Sequence, residues 1–314
     1  MTFTVKSLQE AVGDMDVFYT DIDRILLTKG ATSSIREALE NKVAMAGKGH
    51  LDGIVLYHLS QPVAMGWVER VTQYYGNMVL HALYGGAKRA LVEQFVSRGF
   101  LKDVFAELIQ FEDDLEVYQE ALLTLGIHQN HRQRMILDFA RMDPLPERVL
   151  EDGIGFSQLT QNDIKQSSTI SYFAHQVSQD YAGYKDLESV QNRIVLEQRV
   201  FDELYGPVIS DASLFILHNN TVVGYCLLVE ISCWGLDKVP WFFDVCIRPD
   251  FHGKGYGRKL MNEVLYRLQK MDYSVMGLSV TLSNVAAIGL YESLGFELAE
   301  YFFEFVELSS PPQP

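Results

Sequence analysis

Basic residues are scarce in this 314-residue chain: 26 Lys and Arg stand against 41 Asp and Glu, a formal charge of −15. That balance argues against a general nucleic-acid binder, because phosphate backbones are gripped by Lys and Arg. It suits a cationic partner such as an amine, although acidic solubility accounts for it equally well. Cysteine is scarcer still. Cys226, Cys233 and Cys246 are the only three; their spacing fits no metal motif, and an odd number argues against a disulfide framework. No run of 18 apolar residues occurs, which excludes a membrane-spanning helix. The opening MTFTVKSLQEAVGD has neither the basic end nor the apolar stretch of a signal peptide, so a cytoplasmic protein is the expectation. Long low-complexity segments are also missing. With 48% hydrophobic residues the chain has enough material for a sizeable core, and its length suggests two domains.

The division is expected near the middle. RMDPLPERVLEDGIG, residues 141–155, has the prolines, glycines and scattered charge of a linker, giving domains over 1–145 and 152–314. Residues 1–150 carry 15 basic and 20 acidic groups, and residues 151–314 carry 11 and 21. Four of those 11 cations, Arg248, Lys254, Arg258 and Lys259, gather in FDVCIRPDFHGKGYGRKLMNEVL, against the trend of their half.

In the second half, residues 187–205 have helical apolar spacing. SLFILHNNTVVGYCLLVEI reads as a hairpin around Asn219-Asn220. VPWFFDVCI is a near-continuous apolar strand, GRKLMNEVLYRLQKM an amphipathic helix, and SVMGLSVTL a strand. NVAAIGLYESLG is a short helix with Ser283 or Asn284 to cap its start and Gly295 its end, and FELAEYFFEFVEL is a final strand. The succession describes a mixed α/β sheet. Gly253, Gly255 and Gly257, at every second position between a strand and a helix, let backbone N–H groups converge on a ligand, with the helix N-terminus adding its own. That combination binds phosphate oxygens.

IRPDFHGKGYGRKLM followed by LSNVAAIGLYESLGFE closely resembles the two central motifs of the GNAT superfamily of acetyl-CoA-dependent N-acyltransferases, over most of residues 205–307. The resemblance implies that Val245, Cys246 and Ile247 offer backbone groups to the acetyl and pantetheine arm. It implies that Gly253, Lys254, Gly255, Tyr256, Gly257 and Arg258 wrap the pyrophosphate, that Asn284 bonds the arm, and that Tyr291 is the general acid. His252 stands where the family usually has Gln or Arg, a change that backbone recognition should tolerate. No metal is expected. The implied acceptor is the primary amine of a small molecule or a peptide amino group, attacking the thioester directly. The alternatives are a non-catalytic acyl-CoA-binding or regulatory protein, and transfer of a different acyl group.

The proton acceptor is less plain. Many relatives carry a Glu where this chain has Ser279. Asp244, a lone carboxylate inside an apolar strand, is the candidate replacement, with a structural ion pair as the competing reading. His218 and Glu230 rank lower. The first half resembles a diverged repeat: PVAMGWVE matches TVVGYCLLVE, GGAKRALVEQFV matches GYGRKLMNEVLY, and ALLTLGIHQNHRQRMILDF matches YESLGFELAEYFFEF. Gly85-Gly86 lacks the alternating glycines, and Leu115 and Leu122 stand where Asn284 and Tyr291 would be. The expectation is two tandem GNAT-like domains, each a mixed, mostly antiparallel twisted sheet flanked by helices, with a degenerate N-terminal copy.

Overall fold

The computed structural model describes all residues except 47–50, 73, 110, 112–114, 143–150, 178–183 and 309–314. Most of the expected linker therefore lies outside the described residues. The chain forms two compact units, residues 1–130 with 302–314, and residues 131–301. These are not two consecutive halves, because each unit holds one strand from the far side of the division expected at 145–152.

The first unit contains β1 (Thr4–Ser7), α1 (Asp16–Thr28), α2 (Arg36–Val43), β2 (Leu51–His58), β3 (Gln61–Arg70), β4 (Tyr75–Ala82), α3 (Gly85–Val96), β5 (Phe105–Ile109) and α4 (Glu116–Thr124). Its sheet runs β1-β2-β3-β4-β5 and then takes the end of the last strand, β12 (Glu297–Val306), where Phe305 pairs antiparallel with Ala106. Only β4 and β5 are parallel, and all five residues of β5 pair, from Phe105 with Tyr75 to Ile109 with Val79.

The second unit begins with β6 (His128–Asp138), then β7 (Ile154–Gln158), α5 (Ile164–Gln176), α6 (Val190–Phe201), β8 (Leu214–His218), β9 (Thr221–Cys233), β10 (Leu236–Ile247), α7 (Tyr256–Lys270), β11 (Val275–Thr281) and α8 (Val285–Glu292). Its sheet order is β6-β11-β10-β9-β8-β7. The turn between β8 and β9 is the expected one: Asn219 and Asn220 both have positive φ, which Asn tolerates and a hairpin of this kind requires. Alternation along the strands gives the sheet two apolar faces. Leu260, Val264 and Leu268 of α7 pack on one with Met276 and Leu278. On the other, Ile170 and Ala174 of α5 and Val200 of α6 pack on Phe215, Leu227 and Val229. Helix α5 escapes the sequence reading because Ser167, Ser168 and Ser171 occupy buried positions and blur its apolar stripe. Its start was nonetheless marked, since Thr160 and Asp163 form a capping box just before it.

Candidate functional site

Strands β10 and β11 run parallel and meet where Trp241 pairs with Gly277. A β-carbon at Gly277 would lie 2.4 Å from the Trp241 ring, so only glycine allows this approach. Beyond that point β10 continues to Ile247 and β11 to Thr281, with no further paired position between them among the described residues. Their facing backbone groups past that point therefore lack a ladder partner across the β10–β11 gap. On its other side β10 pairs with β9 through an irregularity between Phe242 and Asp244, where one extra residue, Phe243, is accommodated. Such a bulge leaves backbone groups without a ladder partner. Val245, Cys246 and Ile247 follow directly.

The chain leaves β10 at Arg248, makes one turn at Pro249–Phe251 and passes through Gly253 and Gly255, both left-handed with φ of 72° and 82°. Gly255 is the N-cap of α7 and offers no side chain to its leading N–H groups. A β-carbon at Gly253 or Gly255 would meet no atom within 4 Å, so the space in front of these residues is open. The neighbouring side chains serve the turn itself. His252 Nε2 lies 2.7 Å from the Ile247 carbonyl oxygen, Lys254 Nζ donates to the Asp250 carbonyl at 2.8 Å, and Arg258 donates to Ser293 Oγ at 2.7 Å, tying α7 to the end of α8. Tyr256 is buried, with His218 and Phe251 rings 5.7 Å away. Gly257 lies where a β-carbon would touch Leu290 at 3.4 Å, which keeps α7 close to α8.

Asn284 caps α8, its side-chain oxygen accepting from the Ala287 N–H at 3.2 Å. Seven residues on, Tyr291 is half-buried on the face that packs against the α7 core, its ring 5.9 Å from Phe296.

Asp244 points to the opposite face, towards α5 and α6. It accepts from Arg193 at 2.6 Å, from the Tyr225 hydroxyl at 2.5 Å and from Ser171 Oγ at 2.7 Å, and His175 Nε2 lies 3.3 Å from its other oxygen. Burial alone would raise its pKa. The Arg193 guanidinium and the hydrogen bonds from His175 and Tyr225 outweigh burial and hold it well below the usual carboxylate range. A carboxylate so held is a structural ion pair and a weak proton acceptor. Behind it, Arg193 also meets Glu197 at 3.5 Å, and Glu197 accepts from Ser167, with its other oxygen 3.2 Å from the Tyr225 hydroxyl oxygen. Arg193, Leu196, Glu197 and Val200 are the buried residues of α6, so two charged residues occupy core positions of an apolar stripe. That spacing was readable in sequence and signals a buried pair.

Cys246 Sγ lies 3.2 Å from Asp244 and 3.6 Å from His175 Nε2, and its thiol is pushed well above the ordinary value by burial and by the Asp244 charge. Ligand atoms of His175, Asp244 and Cys246 all fall within 4.8 Å of one another. A cation there would compete with Arg193 for a carboxylate already in three or more hydrogen bonds, so the donor set suits an ion pair better than a metal. The lower-ranked candidates are occupied elsewhere: Glu230 accepts from the Tyr273 hydroxyl at 2.9 Å, and His218 bonds Asn219. Among the described residues no helix is long and apolar enough to cross a membrane.

Comparison with known proteins bears on the same region. A family model described as the acetyltransferase (GNAT) family matches residues 179–296. The chain is 42% identical over 57 residues to the ribosomal protein bS18-alanine N-acetyltransferase of Escherichia coli K12, a segment covering 18% of this chain and 38% of that protein. It is 29% identical over 84 residues to the enzyme of the same name from Haemophilus influenzae, covering 27% of this chain and 53% of that protein. The matched segments thus span about half or less of these curated relatives. Two solved structures share the fold along nearly the whole chain. A GCN5-related N-acetyltransferase from Sphaerobacter thermophilus has a TM-score of 0.60 at 13% identity, covering 96% of this chain and 94% of its own. A tandem GNAT protein from the clavulanic acid biosynthesis pathway has a TM-score of 0.50 at 13% identity, covering 99% of each. The motif-bearing residues 179–296 are thus similar to the acetyltransferase (GNAT) family, and the fold is matched along nearly the whole chain.

Proposed function

We propose that the second unit moves an acetyl group from acetyl-CoA to the primary amine of a small molecule or peptide by direct attack. The observation that carries this reading is the coincidence of two features: parallel strands that part after Trp241 and Gly277, and a left-handed glycine turn opening α7. Parted strands supply unpaired backbone groups for an extended amide-bearing arm, and the turn supplies converging N–H groups for phosphate. In this reading Val245, which follows the bulge, offers an N–H to the developing oxyanion. Tyr291 supplies the proton for the leaving thiolate; a thiol pKa of about 8.5 and a phenol pKa of about 10 are close enough for that transfer. Asn284 keeps its capping bond and is the residue this reading assigns to the arm.

The acceptor class rests on chemistry and on the relatives' names, which specify an alanine amino group on a ribosomal protein. A peptide amino group is therefore the first acceptor to try, with small amines beside it. The test is thiol release from acetyl-CoA by the full chain against a panel of peptides, amino acids, amines and aminoglycosides. Release above the uncatalysed rate with at least one acceptor supports transfer. Binding of acetyl-CoA without release for any acceptor would favour the non-catalytic binder.

A further inference from the structure

Direct attack by an amine needs a group to take the amine's proton, and Asp244, bound to Arg193, Tyr225 and Ser171, is poorly suited to do so. We infer that His175, at the last turn of α5, is the proton acceptor of the second unit, and that Asp244 is its positioning residue. This deepens the transfer reading above and rests on it.

Four observations meet at this side chain. His175 Nε2 sits 3.3 Å from Asp244 Oδ1, so the nitrogen facing the carboxylate is the protonated one and Nδ1 carries the lone pair. Among the described residues His175 Nδ1 has no hydrogen-bond partner, and the side chain is 24% exposed, against 7% for Asp244. The histidine is therefore fixed at one nitrogen and partly exposed. It lies over the part of β10 that carries Asp244 and Cys246, immediately past the bulge and beside the parting of β10 from β11, on the face opposite Tyr291. Tyr291 and His175 thus stand on opposite faces of the sheet, one available to the leaving sulfur and the other to the incoming nitrogen. Finally, Asp244 is itself locked. Arg193 from α6, Tyr225 from β9 and Ser171 from α5 fix both the carboxylate and, through it, the imidazole.

The charged and titratable groups around His175 are Asp244 and Cys246 on β10, Arg193 and Glu197 on α6 and Tyr225 on β9. In the step itself the neutral amine nitrogen bonds to the thioester carbon and passes one N–H proton to Nδ1. The carbon–sulfur bond breaks and the thiolate takes the proton of Tyr291. His175 then releases its proton to water, and the tyrosinate regains one from water. The products are the amide and the free thiol, with atoms and charge balanced.

The experiment compares the full-length protein with His175→Gln, His175→Ala and Asp244→Asn, using acetyl-CoA and an acceptor that the wild type turns over. His175→Gln keeps a polar group of similar reach and should lower kcat by about 10²–10⁴-fold, the usual range for a general base. KM for acetyl-CoA should stay within threefold. The acidic limb of the kcat/KM profile should change shape in His175→Gln, and added imidazole should restore part of the His175→Ala rate. Asp244→Asn should lose activity and flatten the same limb. A His175→Gln variant that keeps kcat within threefold would overturn the inference, as would a loss of rate with an unchanged pH profile and no imidazole rescue, because a structural histidine gives that pattern. A wild type that turns over no acceptor would instead remove the transfer reading and this inference with it.

Discussion

Replacing Gly255 with alanine separates backbone recognition of phosphate from recognition by charge. Gly255 has φ of 82° and heads α7. An L-residue held in that conformation costs roughly 1–2 kcal/mol. No clash adds to this, because the new β-carbon would meet nothing within 4 Å. For a unit of this size each kcal/mol lowers Tm by about 2–4 °C, so the unfolding transition should drop by about 2–8 °C. Binding should suffer more. The methyl group would project into the open space before α7, where phosphate oxygens must come close to the N–H groups. Losing one charge-assisted hydrogen bond costs about 1.5–3 kcal/mol, which is about 10- to 150-fold in Kd. Gly255→Val should be worse, since branching at Cβ widens the obstruction. Lys254→Ala is the contrast. Its ammonium is bound to the Asp250 carbonyl and lies 5.0 Å from the Phe251 ring centre, so it works within the turn. An exposed charge of this kind contributes at most about 1 kcal/mol, or about fivefold. Titration calorimetry with acetyl-CoA and scanning calorimetry on the same samples read both quantities. Unchanged affinity in Gly255→Ala, or an equal loss in Lys254→Ala, would refute the backbone argument.

Four further outcomes are expected. Tyr291→Phe keeps the ring packed on the α7 core and removes the hydroxyl, so kcat should fall by about 10²–10⁴-fold with acetyl-CoA affinity little changed; normal turnover would take Tyr291 out of the mechanism. Arg193→Met leaves the buried Asp244 carboxylate without its cation and should destabilise by about 3–5 kcal/mol in urea unfolding, with Asp244→Asn in the same chain recovering part of the loss; a near-neutral single variant would contradict the ion pair. Because the folded pKa of Asp244 is depressed, its contribution is fully present above the unfolded value of about 3.9 and is lost as pH falls below it. The stability gap between wild type and Asp244→Asn should therefore be flat above about pH 5 and shrink below about pH 4. Titration should find one acetyl-CoA per chain, and a stoichiometry of two would count against a retired first copy.

The parts of the second unit that could be read in sequence are those whose cause is local. Alternating glycines specify left-handed turns at Gly253 and Gly255, paired asparagines specify the β8–β9 turn, and Asn284 is a helix cap by side-chain chemistry alone. The parts that could not be read depend on residues far apart in the chain. Asp244 reads as a candidate base because its strand is apolar, and its guanidinium partner sits 51 residues earlier on helix α6. His175 gave no signal, since α5 itself was hidden by three buried serines and the histidine's only distinction is the carboxylate it meets. The place of the end of β12 in the first unit's sheet is equally non-local. A segment such as FELAEYFFEFVEL has the same alternation whichever sheet receives it, so pattern alone does not decide that Phe305 pairs with Ala106.

We read the first unit as a copy of the fold without the chemistry, because the two depend on different parts of it. In the first unit the core is complete: Leu91 and Phe95 of α3 and Tyr118 and Leu122 of α4 are buried against Leu80 and Leu108. Burial of that apolar surface stabilises the unit whatever the loops do. Ligand capacity depends instead on backbone groups left unpaired, and here they are paired. Every residue of β5 is matched along β4, whereas β11 and β10 share one position before parting. Two residues, Leu83 and Tyr84, separate β4 from α3, against eight between β10 and α7, so no glycine turn can form. Lys88, in the first turns of α3, is buried with its ammonium 5.0 Å from the Tyr118 ring centre, filling with a side chain the corner between α3 and α4. A closed pair of strands is the lower-energy default for a β-sheet, since each parted residue forgoes its ladder hydrogen bonds. The parting of β10 from β11 is thus the costly feature, and a unit relieved of ligand binding has every reason to close.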